Sequence, residues 1–286
     1  MALAGVLLFV DKPALVEQQE EETGSPLNAT YTVDGKQVTL VDGRAEEEIV
    51  EGSVSQLITT IFGEPAFGDV DGDGDLDAAL ILVQDTGGSG TFYYGAAAIN
   101  EGGIYQGLNA LFLGDRIVPQ FHQIQGEMFL YSYTERGLGE PMSAPPSFGA
   151  LQHAIVEEGV LKAVSFLTDP VKDNLLIRVV EPAPRSAVSS PVLVQGMARG
   201  YWFFEADAPL LLVNWDGLIV GEGFITAQGD WMSEELVPFE GVVEFDEQSE
   251  AVTGYSRQGT LILLKSNAAG LPEFDNSLEI PVILGE

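Results

Sequence analysis

Five aspartates fall at alternate positions in the stretch Asp69-Val70-Asp71-Gly72-Asp73-Gly74-Asp75-Leu76-Asp77. Carboxylates so closely spaced repel one another, and a compact loop of this composition needs something to cancel the charge. A hard cation with oxygen ligands does that, and calcium accepts the roughly six to eight irregularly placed oxygens such a loop offers. The side chains of Asp69, Asp71, Asp73 and Asp77 are the expected ligands. Asp75 falls where such loops donate a backbone carbonyl, and Gly74 falls where the chain must turn. The same run is also the composition of a solvated turn, but its flanks favour the metal. Phe67-Gly68 leads in, and the apolar run Ala78-Ala79-Leu80-Ile81-Leu82-Val83 leads out as a strand. A charged loop pinned between buried strands is a structural clip, and nothing in it points to catalysis or sensing.

The pattern D-x-D-x-D-G-x-x-D matches the first half of an EF-hand loop. The twelfth place, where an EF-hand carries its bidentate Glu, is Leu80. The loop is therefore not a complete EF-hand. It resembles the shorter calcium loops of dockerins, thrombospondin-type repeats and FG-GAP-like β-repeats, a resemblance that implies a closing role for Asp77.

The remaining candidates for chemistry are weaker. Trp202, Phe204 and Trp231, with Phe203 and Phe239, could stack on a sugar or pack a peptide, but large rings equally well fill a core. Glu205, Asp207, Asp230, Glu234 and Glu235 lie near these aromatics. A pair of them would suit glycoside hydrolysis, yet with 44 acidic residues in the chain such proximity arises by chance. His122 and His153 are the only histidines. No G-x-S-x-G elbow and no H-E-x-x-H zinc helix accompanies them, so the expectation is a protein that is not an enzyme.

The elements that must hold the loop are β-strands. Of 286 residues, 33 are Gly and 15 Pro, and many short Val/Ile/Leu/Phe/Tyr runs are separated by turn signals; this predicts an all-β chain with at most minor α content. Hydrophobic residues make up 45%, enough for ordinary cores. The formal charge of −32, from 44 acids against 12 bases, excludes nucleic-acid binding, which needs Lys and Arg to neutralise phosphates. It suits a protein whose self-repulsion is screened by cations. With no cysteine, disulfide staples and thiolate zinc sites are excluded, and calcium would serve as the staple instead.

Met1 to Val10 is apolar but shorter than the roughly 20 residues of a spanning helix. It reads as the remainder of a signal or anchor segment, or as a packed strand or short helix. Asp11 to Leu27, with its Glu-rich run, reads as a solvated tether, so that residues 1–27 stand apart from the fold. Ala29 to Val33, Asp34-Gly35 and Gln37 to Val41 form a hairpin signal. The words NATYTVDGKQVTLVDG, GDVDGDGDLDAALILVQDTGGSGTFYY, LGDRIVPQ and GEPMSAPPSFG together resemble an uncharacterised bacterial envelope domain over residues 28–166. Leu167 to Asn174 reads as a linker. Beyond it about seven strands are expected in residues 175–286, the number of an immunoglobulin-like sandwich. The words Val179-Val180-Glu181-Pro182, Trp202-Phe203-Phe204-Glu205-Ala206, Gly229-Asp230-Trp231-Met232 and Ile280-Pro281-Val282 make this half similar to the immunoglobulin-like domain of bacterial spore germination proteins. That resemblance implies an envelope module of unknown ligand.

Together these readings describe a non-enzymatic extracellular or cell-envelope protein with Ca2+ as its cofactor and an adhesion or surface-assembly role. A protein or glycan partner at the cell surface, self-assembly into a filament or layer, and membrane anchoring through the N-terminal segment are the associations expected. A carbohydrate-binding or hydrolase-accessory protein is the competing reading.

Overall fold

The computed structural model describes residues 24–48, 56–137, 140–172 and 174–285. The segments expected as an apolar N-terminus, Met1–Val10, and as most of the acidic tether lie outside them. Regular structure among the described residues is β, apart from one four-residue helix and three 3-10 turns.

The first half is built around two long strands. The hairpin of β1 (Thr30–Val33) and β2 (Lys36–Thr39) pairs Val33 with Lys36. Asp34 and Gly35, both at positive φ, form its two-residue turn, the backbone that matches the strands' own twist. A seven-stranded sheet follows, of β3 (Arg44–Glu48), β4 (Gln56–Ile61), β5 (Ala66–Gly68), β6 (Asp77–Asp85), β7 (Thr91–Glu101), β8 (Ile104–Gly107) and β9 (Leu111–Asp115). Adjacent side chains on a strand point to opposite faces, so the β6–β7 ladder feeds two cores. Ala79, Ile81 and Ala97 pack with Phe129, Tyr131 and Leu161 on one side. Ala78, Leu80, Leu82 and Tyr94 pack with Tyr31, Val33, Val38 and Leu40 of the hairpin on the other. Burial on both faces is why β6 reads as an unbroken apolar run.

The far side of the first core is supplied by β10 (Val118–Gln125), β11 (Met128–Glu135), β12 (Phe148–Glu157) and β13 (Val160–Asp169). The tether ends earlier than the sequence implied. Pro26 is buried in a 3-10 turn, its carbonyl accepts the Tyr31 hydroxyl at 2.8 Å, and the Leu27 carbonyl accepts the Gly43 N–H at 2.8 Å.

The second half contains β14 (Asn174–Glu181), β15 (Ala187–Val188), β16 (Val192–Arg199), β17 (Asp207–Asn214), β18 (Ile219–Ala227), β19 (Leu236–Val243), the helix α1 (Glu250–Thr253), β20 (Gln258–Leu264) and β21 (Ser277–Leu284). In β17, β19, β20 and β21 buried residues alternate with more exposed ones. The buried set from all seven long strands meets in one core with Trp202 and Phe203. This is an immunoglobulin-like sandwich in an otherwise all-β chain.

The stretch 167–174, expected as a linker, is a hairpin. Leu167, Thr168 and Asp169 end β13 and pair with Ile177, Leu175 and Asn174. The Asp169 carboxylate holds the turn by accepting the N–H groups of Val171 (2.8 Å) and Lys172 (3.1 Å). An Asp-Pro stretch with Lys and Asn marks a turn as well as a tether, and only the pairing separates the two. The halves therefore share a continuous ladder, since β13 pairs with β12 through Val160–Val164 and with β14 through Ser165–Asp169. Their cores remain separate, one drawn from residues 176–284 and the others from residues 29–161.

Candidate metal centre

The aspartate loop connects β5 to β6, which pair antiparallel from Ala66↔Ala79 to Gly68↔Asp77. Asp77 is thus both the first residue of a buried strand and the last of the loop. It is fully buried. Its Oδ2 accepts the Val70 N–H at 2.8 Å and its Oδ1 accepts the Asn100 N–H at 2.9 Å. Burial pushes the Asp77 carboxyl above the ordinary carboxylate range. The two N–H groups oppose that rise, and the charges of Asp71 and Asp73 add to it. A buried carboxylate is costly unless paired, so this position calls for positive charge.

Within the loop, Asp69 accepts from Gly72 N–H (2.7 Å, Oδ1) and Gly74 N–H (3.1 Å, Oδ2). Both glycines are at positive φ, which lets the backbone curl around a single side chain. Asp71 Oδ1 accepts the Asp73 N–H at 3.2 Å, and Asp73 Oδ1 accepts the Asp75 N–H at 2.8 Å. These successive turns aim the loop's carboxylates unequally. Oxygens of Asp69, Asp71 and Asp77 lie within 4.8 Å of one another. Calcium–oxygen bonds of about 2.3–2.6 Å place ligands on opposite sides of one ion about 4.6–5.2 Å apart, so the three oxygens fit one such ion. Asp73 and Asp75 stand outside this group. Three of the four side chains expected as ligands thus converge, and the Asp75 carboxylate accepts the Gly102 N–H at 2.8 Å.

Bracing comes from residues far along the chain that the loop pattern does not reveal. Asn100 donates its side-chain amide to the Leu76 carbonyl (3.2 Å), and Tyr105 donates its hydroxyl to the same oxygen (2.9 Å). The Asn100 Oδ1 accepts the Gly103 N–H at 2.9 Å. The docking of the Glu101–Ile104 turn on the aspartate loop depends on the β6–β7 register.

The aromatic candidates separate. Trp202 is fully buried in the second-half core and its Nε1–H has no hydrogen-bond partner. It is not part of a surface platform. The 3-10 turn Gly200–Trp202 directs the ring inward, and Gly200 permits it because a Cβ there would collide with the backbone of Trp231 and Ser233. Trp231 packs partly buried against that core, and only Phe204 is half exposed. Among the nearby acids, Asp207 accepts the Thr226 hydroxyl (2.6 Å) and Asp230 accepts the Met232 N–H (3.1 Å). Among the described residues no other three such side chains converge as Asp69, Asp71 and Asp77 do. His122 Nε2 contacts the Glu64 carbonyl at 2.9 Å, and the His153 ring stands edge-on to Phe166 at 4.7 Å. Burial lowers the pKa of both histidines.

Residues 176–257 match the family model described as the immunoglobulin-like domain of bacterial spore germination (Gmad2). The match ends before β20 and β21, yet these two strands pair with β17 and with each other and complete the same core. No curated protein and no solved structure matches the chain, and the resemblance expected over residues 28–166 has no counterpart among these comparisons. No helix among the described residues is long and apolar enough to cross a membrane.

Proposed function

We propose that this is a non-enzymatic extracellular or cell-envelope protein. Its first half is clipped by one structural Ca2+ on Asp69, Asp71 and Asp77, and its immunoglobulin-like half serves adhesion or surface assembly. The observation that carries the metal reading is the convergence of three carboxylates, one of them wholly buried at the head of a core strand. The ion would neutralise that cluster and tie the β5–β6 loop to the core.

An outward row of apolar side chains supports the assembly role. Leu193, Val242 and Phe224 are 41%, 46% and 62% exposed and lie side by side across β16, β19 and β18. Aligned rather than scattered exposure of this kind marks an interaction face. A second copy of the chain is the occupant proposed. The carbohydrate platform is the weaker reading because Trp202 lies inside the core. Calorimetric titration tests the metal: one Ca2+ per chain is expected, and its loss in Asp71→Ala. Sedimentation tests the face: association of the parent chain should be weakened by Phe224→Glu, and a parent chain that stays monomeric at high concentration would refute self-assembly.

A further inference from the structure

A cleft of about 530 Å³ opens beside the aspartate loop where the two halves meet. Its floor is aliphatic, with Val70, Ile99, Leu108 and Ile155 contributed by four different segments. Its rim carries Asp71, Glu101 and Glu127, while Arg178 of β14 forms part of its wall. In a chain of 44 acids, rim carboxylates alone would mean little. Arg178 is what distinguishes this cleft. The chain has 12 basic residues, and this one is part-buried; its Nε is sealed from solvent without an acceptor, which leaves its terminal nitrogens as the donors a ligand could meet. The four ion pairs found among the described residues do not include it. A guanidinium offers a planar fork of donors suited to a carboxylate, and leaving part of it unbonded is unfavourable.

We propose that this cleft binds a small zwitterion with an aliphatic body, of the chemistry shared by apolar amino acids and short apolar peptides. The ligand carboxylate pairs with Arg178, its ammonium faces Glu101 and Glu127, and its side chain covers the aliphatic floor. A bare anion would be repelled by the rim. A bare amine would leave Arg178 unpaired. The volume is that of an ordinary small-molecule site. Glu157, also in the lining, is already engaged by Lys162 at 2.6 Å and is not assigned a part.

The test is a titration of the full chain, in saturating calcium, with leucine, trileucine, isoamylamine and 4-methylpentanoate. Leucine or trileucine should bind, the tighter of the two identifying the source. Each truncated analogue should bind at least about tenfold more weakly. Arg178→Gln should lose at least about tenfold for the zwitterion, with an unchanged circular dichroism spectrum and a cooperative melt as proof of folding. Lack of zwitterion binding at millimolar ligand, isoamylamine binding as tightly as leucine, or an unchanged affinity in Arg178→Gln would overturn the proposal. None of these results bears on the metal reading, which has its own titration.

Discussion

Asp77 ties the charged loop to the core, because its carboxylate is buried where a strand begins and has two backbone N–H partners for its two oxygens. Asp77→Asn keeps the shape but places an amide nitrogen where one N–H donor already points. It should lower stability by about 1–3 kcal/mol and abolish the response to calcium, measured by thermal melts with and without the ion. Asp73→Ala is expected to do less, since Asp73 stands outside the convergent group. The sequence made the loop legible but not this hierarchy, which depends on Asn100 at the end of the next strand and Gly102 in the turn after it. Trp202 presents the same difficulty in another form. A ring in a Gly-Tyr-Trp-Phe-Phe run is equally compatible with a ligand platform and a core, and only the inward turn decides. Trp202→Phe should cost less than about 1.5 kcal/mol, because it also removes an N–H that has no acceptor. Trp202→Ala should cost about 3–5 kcal/mol. Chemical denaturation of both variants checks the difference.

At the scale of elements, the strands and tight turns were readable wherever one physical signal dominated. Asp34-Gly35 between alternating runs fixed the first hairpin, and the apolar run after the loop fixed β6. The joint between the halves was not readable, because a turn-rich octapeptide gives no sign of whether its flanks pair. That pairing has a consequence. Residues 174–286 hold a complete core, so this fragment should fold by circular dichroism, yet its β14 would expose the edge that β13 covers. An uncovered edge invites strand pairing between chains. The fragment should therefore associate with rising concentration, and a fragment beginning at Ser165, which keeps the part of β13 that pairs with β14 and omits the part that pairs with β12, should associate less; light scattering distinguishes them. The docking of the first hairpin is equally specific. A Cβ at Gly107 would strike the Thr30 carbonyl and the Tyr31 ring, whereas one at Gly149 meets nothing within 4 Å. Gly107→Ala should cost about 1–3 kcal/mol or more, and Gly149→Ala should be close to neutral.

For the whole molecule, charge governs how solution conditions act. A net charge of −32 opposes compaction through self-repulsion that salt screens. The melting temperature should therefore climb as sodium chloride is added, before any specific ion is supplied. Acidification near neutrality works the other way through the histidines. His122 and His153 are held below their ordinary value of 6.5 by burial, so the unfolded chain takes up protons first. Their contribution is fully present above pH 6.5 and declines as pH falls below it. Stability should decrease between pH 7 and 6, and His122→Gln together with His153→Gln should flatten that slope. Glycine and proline content with short apolar runs carried the all-β class, and the absence of cysteine alone excluded disulfides. The division of the β6–β7 sheet between two cores, and the cleft at the junction, arise from long-range pairing that totals do not encode.

The most direct measurement is the melting temperature of the full chain in millimolar calcium and in chelator, at one fixed high ionic strength so that screening is equal. An ion at about 100 times its dissociation constant adds about 2.7 kcal/mol, which for a chain of 286 residues is a rise of about 4–5 °C. That rise should be seen in the parent protein and be absent from Asp77→Asn. Identical melting temperatures for the parent protein in calcium and in chelator would contradict the account.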